Sequence, residues 1–518
     1  MATLQLEAAP SAQISPPLGV VTELCRRLAD TGVVYCHWKS NEHLRPGTVG
    51  ETDLDILVDR ESAAQVVRVL AETGYKRMTA VPARSYVGIE DYLALDQASG
   101  RLIHLHLHYR LVLGEKFLKG YRVPWEDRLL AARQLDQETG VYVCAPELEL
   151  ILLVVRAALK LRRREILRVG GAAPLDADFI REFRWLAERV DAGRLESQAT
   201  ELLGASAASR LATMLRTLPD RAAIAELRQE IRRVTDTWRT YPPARATRLR
   251  WAREVRARSA KLWSRIFRKR QVTRFSNPRG GVIIAFLGAD GSGKSTVTGA
   301  VDVWLSWRVE VVRLYLGFGD GPVSPLRKPL QALKSLYSRS RARSSTSADR
   351  SKAGAGSEAI SRPSWLAAPK MIWRILWSWS VVREKETRIA QAQQGRNHGL
   401  VVICDRYPQA QIMALGDGPL LSHWAQHPWA WPRAAARREL AAYRRLEAVA
   451  PDLVIKLHVT PEVSARRKQD VSLDSLVSRV EVVKRVQFSE RTRVVHVDTD
   501  QPIEQVLLEV KRAIWEVI

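Results

Sequence analysis

The chain has 518 residues, of which 46% are hydrophobic, so it is too long for a single ordinary core and about two or three domains are expected. Its formal net charge of +25 indicates an anionic partner, whether a nucleotide, a nucleic acid or an acidic membrane surface. Scattered cysteines without metal-like spacing argue against a disulfide framework or a zinc ribbon and for a reducing compartment: Cys25, Cys36, Cys144 and Cys404.

The N-terminal segment carries no recognisable export signal. It lacks a basic region followed by an apolar one, and no stretch of the chain reaches about 18 uncharged apolar residues. We therefore expect a cytoplasmic protein. Residues 1–16 contain alanine, proline and serine without periodicity, which predicts a disordered tail.

Residues 17–140 alternate helix-like and strand-like patterns, which predicts a small α/β domain. Asp53 and Asp55 stand at the start of its clearest strand, and strand alternation places both carboxylates on one face. Paired carboxylates at such an edge can hold Mg²⁺ ions that bridge a nucleoside triphosphate. With the upstream His-Trp-Lys-Ser-Asn at residues 37–41, this segment resembles the nucleotidyltransferase superfamily, whose pattern is a small-residue turn followed by two spaced aspartates.

Two departures leave the activity of this domain open. Lys-Ser at residues 39–40 replaces the usual Gly-Gly or Gly-Ser, and no third carboxylate is evident on a later strand. The candidate later strand places three histidines on one face, and these are His104, His106 and His108. Such a face can bind a transition metal or an anion, but a polar face that meets solvent is the simpler interpretation. An inactive binding module therefore fits these residues as well as an active transferase does.

The middle of the chain divides into a helical part and a basic part. Apolar residues recur at helical intervals within residues 141–240, which predicts a helical domain. Residues 241–280 predict a basic linker helix. Between residues 245 and 274 Arg or Lys recurs every second or third position, with Glu254 as the only acid, so this segment could contact an anionic membrane or nucleic acid.

Residues 281–518 carry the most informative motif, Gly-Ala-Asp-Gly-Ser-Gly-Lys-Ser at residues 288–295, which fits the phosphate-loop pattern. An apolar run of buried-strand length precedes it and an amphipathic helical pattern follows, as such a loop requires. Lys294 is expected to reach the terminal phosphates of ATP and Ser295 to ligate Mg²⁺. The expected cofactor-binding residues are Gly288, Asp290, Gly291, Ser292, Gly293, Lys294, Ser295 and Thr296.

Two segments follow the phosphate loop before the next strand. Residues 335–364 are rich in Ser, Arg, Ala and Gly without an apolar period, which predicts a mobile insertion. Residues 365–382 are rich in tryptophan and could suggest a membrane-interface helix, but Lys370 and Arg374 interrupt them. We therefore predict a helix packed within the domain.

A second buried-type strand, residues 400–404, ends on Asp405-Arg406-Tyr407. A carboxylate at the carboxyl end of such a strand faces the ligand crevice of an α/β sheet. Asp405 is therefore a candidate to hold Mg²⁺, directly or through water, or to accept a proton from the substrate. The planar guanidinium of Arg406 suits the phosphate of an acceptor.

Three segments together, residues 286–296, 404–407 and 451–463, resemble the thymidylate kinase family of P-loop kinases. The resemblance covers roughly the C-terminal half of the chain. It implies a doubly wound parallel sheet, ATP with Mg²⁺, and phosphoryl transfer to a nucleotide, with dTMP and ATP giving dTDP and ADP as the default reaction. It also implies that Asp290 contacts the acceptor sugar and Arg406 the acceptor phosphate.

The same resemblance implies an arginine-bearing lid that begins after residue 461. Arg466, Arg467 and Lys468 stand at this position, and a cationic lid would neutralise charge that spreads during phosphoryl transfer. For any one of them a solvated helix face is the alternative. We expect the cluster, including Arg466 and Arg467 as catalytic residues, to act together.

The sequence leaves the acceptor open. The family continues after its Asp-Arg-Tyr with small residues and an Ala-Tyr-Gln element that grips the pyrimidine, whereas this chain has Pro-Gln-Ala-Gln-Ile-Met at residues 408–413. Another nucleotide, a nucleoside or a sugar-like acceptor is thus consistent with the motifs.

Two further interpretations compete with the kinase. One is an ATP-driven regulator that binds nucleic acid or a membrane surface through residues 245–274, which would make the protein membrane-peripheral. The other makes the N-terminal domain the main enzyme, a nucleotidyltransferase whose substrate the kinase domain supplies. The oligomeric state is also open, with a homodimer among the options.

Overall fold

The computed structural model describes residues 16–115, 117–161, 175–267, 272–317, 368–412, 418–467 and 473–518. The chain forms two compact units, Met1–Phe275 and Ser276–Ile518. Residues 1–15 of the predicted tail and the whole predicted insertion, residues 335–364, lie outside the described residues. In the described part of the chain, no helix has both the length and the apolar character needed to cross a bilayer.

The first unit contains a mixed sheet, a separate hairpin and helices. The strands are β1 (Tyr35–His37), β2 (Leu54–Val58), β3 (Lys76–Met78), β4 (Ile89–Leu95), β5 (Leu102–His108), β6 (Leu111–Glu115), β7 (Leu118–Val123), β8 (Gln134–Leu135) and β9 (Tyr142–Val143). The seven-stranded sheet has the order β3-β4-β5-β2-β1-β9-β8, and β6 pairs with β7. The helices are α1 (Gly19–Asp30), α2 (Leu44–Thr48), α3 (Ala63–Glu72), α4 (Glu126–Ala131), α5 (Pro146–Lys160), α6 (Ala177–Ala187), α7 (Ala192–Leu203), α8 (Ala205–Thr217), α9 (Arg221–Thr235) and α10 (Pro243–Phe267).

Strand register in this unit separates an apolar face from a polar one. Ile103, Leu105 and Leu107 of β5 enter a core that they share with α1 and α3. The intervening histidines therefore lie on the opposite face. β5 pairs in parallel with β2 and antiparallel with β4, so that His106 lies between Asp55 on one side and Asp91 on the other.

Helix α5 forms the centre of the helical part of this unit. Its run of Leu, Ile and Val is buried almost all round, as expected for a helix enclosed by other elements. The shared core joins α5 to side chains of α6, α7, α8 and α9 and of the β6–β7 hairpin. Within residues 141–240, the described helices α5 to α9 belong to the first unit.

Within residues 241–280, where a basic linker helix was predicted, the structure describes α10 over Pro243–Phe267. Residues 272–280 contain no helix, because Pro278 and the following glycines disfavour one. Part of its charge is engaged within the unit, since Arg250 pairs with Glu115 at 2.7 Å and Arg258 with Glu254 at 2.7 Å.

The second unit is built on a five-stranded sheet in which every pairing is parallel. Its strands are β10 (Val282–Gly288), β11 (Val311–Tyr315), β12 (Val401–Asp405), β13 (Leu453–His458) and β14 (Arg493–Asp498), in the order β11-β12-β10-β13-β14. The helices are α11 (Lys294–Ser306), α12 (Ala368–Asn397), α13 (Ala430–Glu447), α14 (Pro461–Arg467), α15 (Leu473–Arg485) and α16 (Ile503–Val517). The α/β class predicted from the sequence is confirmed.

Strand β10 lies at the middle of this sheet, and all seven of its residues are buried. Ile283, Ala285 and Leu287 share a core with side chains of α12 and α13. Alternation turns Ile284 and Phe286 to the opposite face, so both faces of the strand are covered. The helix predicted at residues 365–382 is observed as the longer α12, which contacts three strands of the sheet and α13.

Candidate functional site

The loop at residues 288–294 joins the carboxyl end of β10 to the first residue of α11. Gly291 and Gly293 have φ values of +81° and +75°, a region that glycine adopts without strain. A Cβ at Gly288 would lie 2.3 Å from Ser292 Oγ, so a side chain there would displace the loop. The glycines of the motif thus allow a tight turn at a helix N-terminus, where unpaired main-chain N–H groups attract anions.

Lys294 lies over this loop and is buried. Its Nζ donates hydrogen bonds to the carbonyl oxygens of Gly288 at 2.7 Å and Ala289 at 2.8 Å. Ser292 Oγ is buried and has no hydrogen-bond partner among the residues that the structure describes. Ser295 and Thr296 are exposed in the first turn of α11. An ammonium group and polar side chains therefore surround a curled segment of main chain.

Asp405 and Arg406 meet this loop from the neighbouring strand. Asp405 ends β12 and lies in register with Phe286, two residues before the loop. Within the described ranges Asp405 Oδ1 is buried without a hydrogen-bond partner. Arg406 has a φ of +67°, an unusual value for a residue with a side chain, and its Nη2 lies 3.3 Å from Asp290 Oδ1. The structure thus brings together Asp290, Asp405 and Arg406.

Helix α14 lies against the same loop. Ser464 Oγ donates to the carbonyl oxygen of Asp290 at 2.6 Å, and Arg467 Nη2 donates to Thr499 O at 3.0 Å. Arg467 Nη1 also lies 3.4 Å from Gly291 O, and both Arg466 and Arg467 are exposed. Of the predicted lid residues, Arg467 contacts the loop, and Lys468 lies outside the described residues.

Sequence reasoning missed Ser464, which is fully buried against the phosphate loop. Its hydroxyl would lie 2.8 Å and its carbonyl oxygen 3.0 Å from a Cβ placed on Gly291. The sequence feature that could have indicated Ser464 is its position in α14, three residues after the proline that follows β13. Only the order of strands in the sheet places α14 beside β10. A side chain at position 291 is therefore disfavoured both by the positive φ of Gly291 and by its contact with Ser464.

We expect Gly291→Ala to destabilise the second unit by about 1–3 kcal/mol, because the residue would adopt a strained φ and contact Ser464. Gly299→Ala is the matched control, since nothing lies within 4 Å of a Cβ placed there in α11. Alanine inside a helix is favoured over glycine by about 0.5–1 kcal/mol, so this control should stabilise the unit. Denaturant unfolding measures both changes, and equal effects would contradict the predicted loop restriction.

The first unit carries a second polar cluster on the histidine face of β5. His104 and His108 are buried, so the interpretation of this face as solvent-facing was wrong. The neighbouring segments of the same sheet place carboxylates beside these histidines. His104 Nδ1 lies 2.8 Å from Asp53 Oδ1, and its Nε2 lies 3.0 Å from Asp91 Oδ1. Burial alone would lower the pKa of His104, but these two partners outweigh it and raise that pKa.

Asp91 is the carboxylate on a further strand that the sequence did not make evident. It lies on β4, and its position opposite His106 follows from antiparallel pairing that no local pattern specifies. Asp53 and Asp55 project to the same face but have different partners, since Asp53 pairs with His104. A shared Mg²⁺ at Asp53 and Asp55 stays a prediction.

Asp55 is the centre of the second part of this cluster. Its Oδ1 lies 2.8 Å from Lys39 Nζ, 2.9 Å from His106 Nδ1 and 3.2 Å from His108 Nε2. Burial would raise the pKa of Asp55, but Lys39 and the two histidines outweigh it and hold the pKa well below its usual value. Burial, followed by the charge of His106, lowers the pKa of His108 well below its usual value.

Glu149 of α5 holds the turn that carries Lys39. It is buried and accepts hydrogen bonds from the main-chain N–H of Asn41 at 2.8 Å and from Asn41 Nδ2 at 2.6 Å. Ser40, within the same turn, has a φ of +56°. Burial raises the pKa of Glu149 from its ordinary 4.5 to about 7. The turn is therefore anchored to a carboxyl group that titrates near neutral pH.

This raised pKa predicts a pH-dependent stability. Because the folded unit favours protonated Glu149, its contribution is present below pH 4.5 and is lost as the pH rises to about 7. The loss amounts to about 3 kcal/mol at most. We expect Glu149→Gln to flatten this part of the slope in urea unfolding between pH 5 and pH 8. Glu188→Gln, whose side chain is 76% exposed, should leave the slope as it is, and an unchanged slope in Glu149→Gln would contradict the prediction.

Comparison with known proteins found similarity over a little less than half of the chain. No protein-family model matches the sequence. The chain is 28% identical over 233 residues to the uncharacterized ATP-binding protein YghS of Escherichia coli strain K12, which covers 45% of this chain and 92% of that protein. It is 27% identical over 233 residues to the uncharacterized ATP-binding protein YghR of the same strain, covering 45% of this chain and 86% of that protein. The chain is thus similar, over 45% of its length, to two proteins that are named for ATP binding.

Proposed function

We propose that residues 276–518 bind ATP and transfer its terminal phosphoryl group to a small acceptor. The observation that carries this proposal is the convergence of Lys294, Asp405 and Arg406 on one glycine loop at the carboxyl ends of adjacent parallel strands. Ligands of open α/β sheets bind in this crevice. The similarity to two proteins named for ATP binding supports the choice of nucleotide.

The loop residues suit a triphosphate. Main-chain N–H groups at the start of α11 would contact phosphate oxygens, and Lys294 would exchange its two carbonyl contacts for the terminal phosphates. Arg467 already reaches the carbonyl oxygen of Gly291, so of the two lid arginines that the structure describes it is the one placed to approach those phosphates. Phosphoryl transfer depends mainly on alignment and on neutralising spreading charge, which these cations supply.

Magnesium fits the oxygen atoms that this site offers. Asp405 contributes a buried carboxylate oxygen to which no described residue donates a hydrogen bond, and Ser295 contributes a hydroxyl at the start of α11. Mg²⁺ prefers such oxygen ligands. When bound, the ion would neutralise charge on the phosphates of ATP. Asp405 and Ser295 are the residues that we propose to hold it.

The acceptor side of the proposal rests on Arg406 and Asp290. A guanidinium beside a carboxylate can bind an acceptor that carries both an anionic group and a hydroxyl. Nucleoside monophosphates and sugar phosphates are acceptors of this kind. An acceptor oxygen would attack the terminal phosphorus, the bond to the ADP oxygen would break, and the acceptor proton would pass to water. We take dTMP, giving dTDP and ADP, as the default acceptor.

The loop after Tyr407 bears on how the acceptor is chosen. Gln409 is buried and uses its side chain to hold this loop, accepting from the main-chain N–H groups of Gln411 and Ile412. Its Nε2 donates to Ile412 O at 2.7 Å. Gln409 is therefore committed to the loop rather than to reading a base, which supports testing acceptors beyond thymidylate.

An acceptor panel tests this proposal. The purified full chain is incubated with ATP and Mg²⁺ and, in turn, with dTMP, other nucleoside monophosphates, nucleosides and sugar phosphates. We expect ADP and a phosphorylated acceptor in equal amounts for one class. ADP and free phosphate formed only with DNA or anionic vesicles would instead support a regulator. Pyrophosphate release that disappears in Asp55→Asn would support a nucleotidyltransferase in the first unit.

A further inference from the structure

The polar cluster of the first unit has the geometry of a metal site. Three atoms from two neighbouring strands face one another: Asp55 Oδ1, His106 Nδ1 and His108 Nε2. Their separations are 2.9 Å and 3.2 Å from oxygen to nitrogen and 3.3 Å between the nitrogens. Ligands bound at about 2.0–2.1 Å around a tetrahedral ion lie about 3.4 Å apart. The three atoms therefore lie nearly where the ligands of one ion would lie.

Hydrogen bonding alone explains this arrangement poorly. If both imidazoles donate to Asp55, two N–H groups face each other at 3.3 Å. If only one donates, the other nitrogen presents a lone pair to a carboxylate oxygen. An ion between the three atoms relieves both conflicts, because each ligand then directs a lone pair at the same positive charge.

We propose that Asp55, His106 and His108 bind a divalent transition-metal ion of the zinc class. Two nitrogen ligands and one carboxylate select such an ion over Mg²⁺, which prefers oxygen. Asp91 lies 3.9 Å from His106 Nε2, the ring nitrogen that faces away from the proposed ion. At this distance Asp91 acts on His106 by its negative charge rather than through a hydrogen bond, and its hydrogen bond is to His104 Nε2 at 3.0 Å. The site is independent of the phosphoryl transfer proposed for the second unit.

Lys39 distinguishes a metal site from a structural hydrogen-bond network. Its Nζ lies 2.8 Å from Asp55 Oδ1, on the atom that the ion would use, so Lys39 and the ion compete for one carboxylate. Removing the ammonium should therefore strengthen metal binding. If the cluster is only a structural hydrogen-bond network, removing Lys39 leaves a buried charge without its partner and confers no metal affinity.

The experiment titrates the chelator-treated full chain with ZnCl₂ by calorimetry and with Co²⁺ by visible absorption. His458 and His496 of the second unit stack with their ring nitrogens 2.7 Å apart and could bind zinc themselves, so all measurements use a His458→Ala background. We expect one zinc per chain in that background. Because the loss of a supporting group costs about 10–100-fold in metal affinity, His106→Ala should weaken binding by at least about 100-fold.

Lys39→Met should tighten zinc binding at least about tenfold, by the competition described above. His106→Gln serves as a second ligand variant in case alanine prevents folding, and circular dichroism checks each variant without metal. His43→Ala is the control, since this half-buried histidine lies outside the cluster. Absence of binding in the His458→Ala background, unchanged affinity in both His106 variants, or weaker binding in Lys39→Met would overturn the proposal.

Discussion

Lys294→Ala should reduce the rate of phosphoryl transfer by about 100- to 1000-fold, the effect of removing one group that stabilises charge in a transition state. The Lys294 ammonium is buried against the loop carbonyls, so alanine leaves no cation at this point. The lysine lies at the helix N-terminus to which phosphates are expected to bind, so its charge would act directly on them. The measurement is the initial rate of ADP release with the acceptor that the panel identifies.

Lys484→Ala is the matched control for this prediction. Lys484 is an exposed lysine at the end of α15 in the same unit, so its removal changes the net charge equally. We expect it to leave the rate near that of the unaltered chain. Thermal unfolding of both variants separates a lost catalytic charge from a lost fold. Full activity in a folded Lys294→Ala variant would remove the basis for the kinase proposal.

Asp405→Asn should slow the reaction by about 100-fold and should raise the Mg²⁺ concentration that gives half the maximal rate. Asparagine keeps the shape of the side chain but loses the negative charge. The carboxylate oxygen is buried at the end of β12, and no described residue donates to it, so it is available to an ion. The measurement is the rate as a function of Mg²⁺ concentration at saturating ATP.

Asp452→Asn provides the comparison at the opposite end of the sheet. Asp452 precedes β13, and its Oδ2 accepts a hydrogen bond from the main-chain N–H of Ile283 at 2.7 Å. Its substitution should cost about 1 kcal/mol of stability, because a charge-assisted hydrogen bond becomes a neutral one. The Mg²⁺ dependence should not change. If both variants respond alike to Mg²⁺, Asp405 does not hold the ion.

The amino-acid sequence predicted the local elements of the second unit well. The apolar run before the glycine loop predicted a buried strand over residues 282–287, and the structure has β10 over Val282–Gly288. The strand predicted at residues 400–404 is observed as Val401–Asp405. These predictions succeeded because a central parallel strand is buried on both faces and is therefore a continuous apolar run.

The sequence was less informative about the first unit. Alternation predicted that three histidines share one face of β5, and the opposite apolar residues do enter the core. It did not predict that this face is buried, because the rings that contact it, Trp38 on His108 and Phe275 on His104, come from segments far from β5 in the chain. The pairing of β4 with β5 likewise depends on register that the local pattern does not encode. Asp91 was missed for the same reason.

By itself, then, the sequence determined the glycine loop, the strands that flank it, and which side chains share a strand face, since each depends on residues close together in the chain. Only the tertiary structure decided that β12 lies beside β10, that Ser464 and Arg467 reach the loop, and that Asp55 meets His106 and His108. These contacts join segments far apart in sequence, and strand order and register, rather than local propensity, bring such segments together.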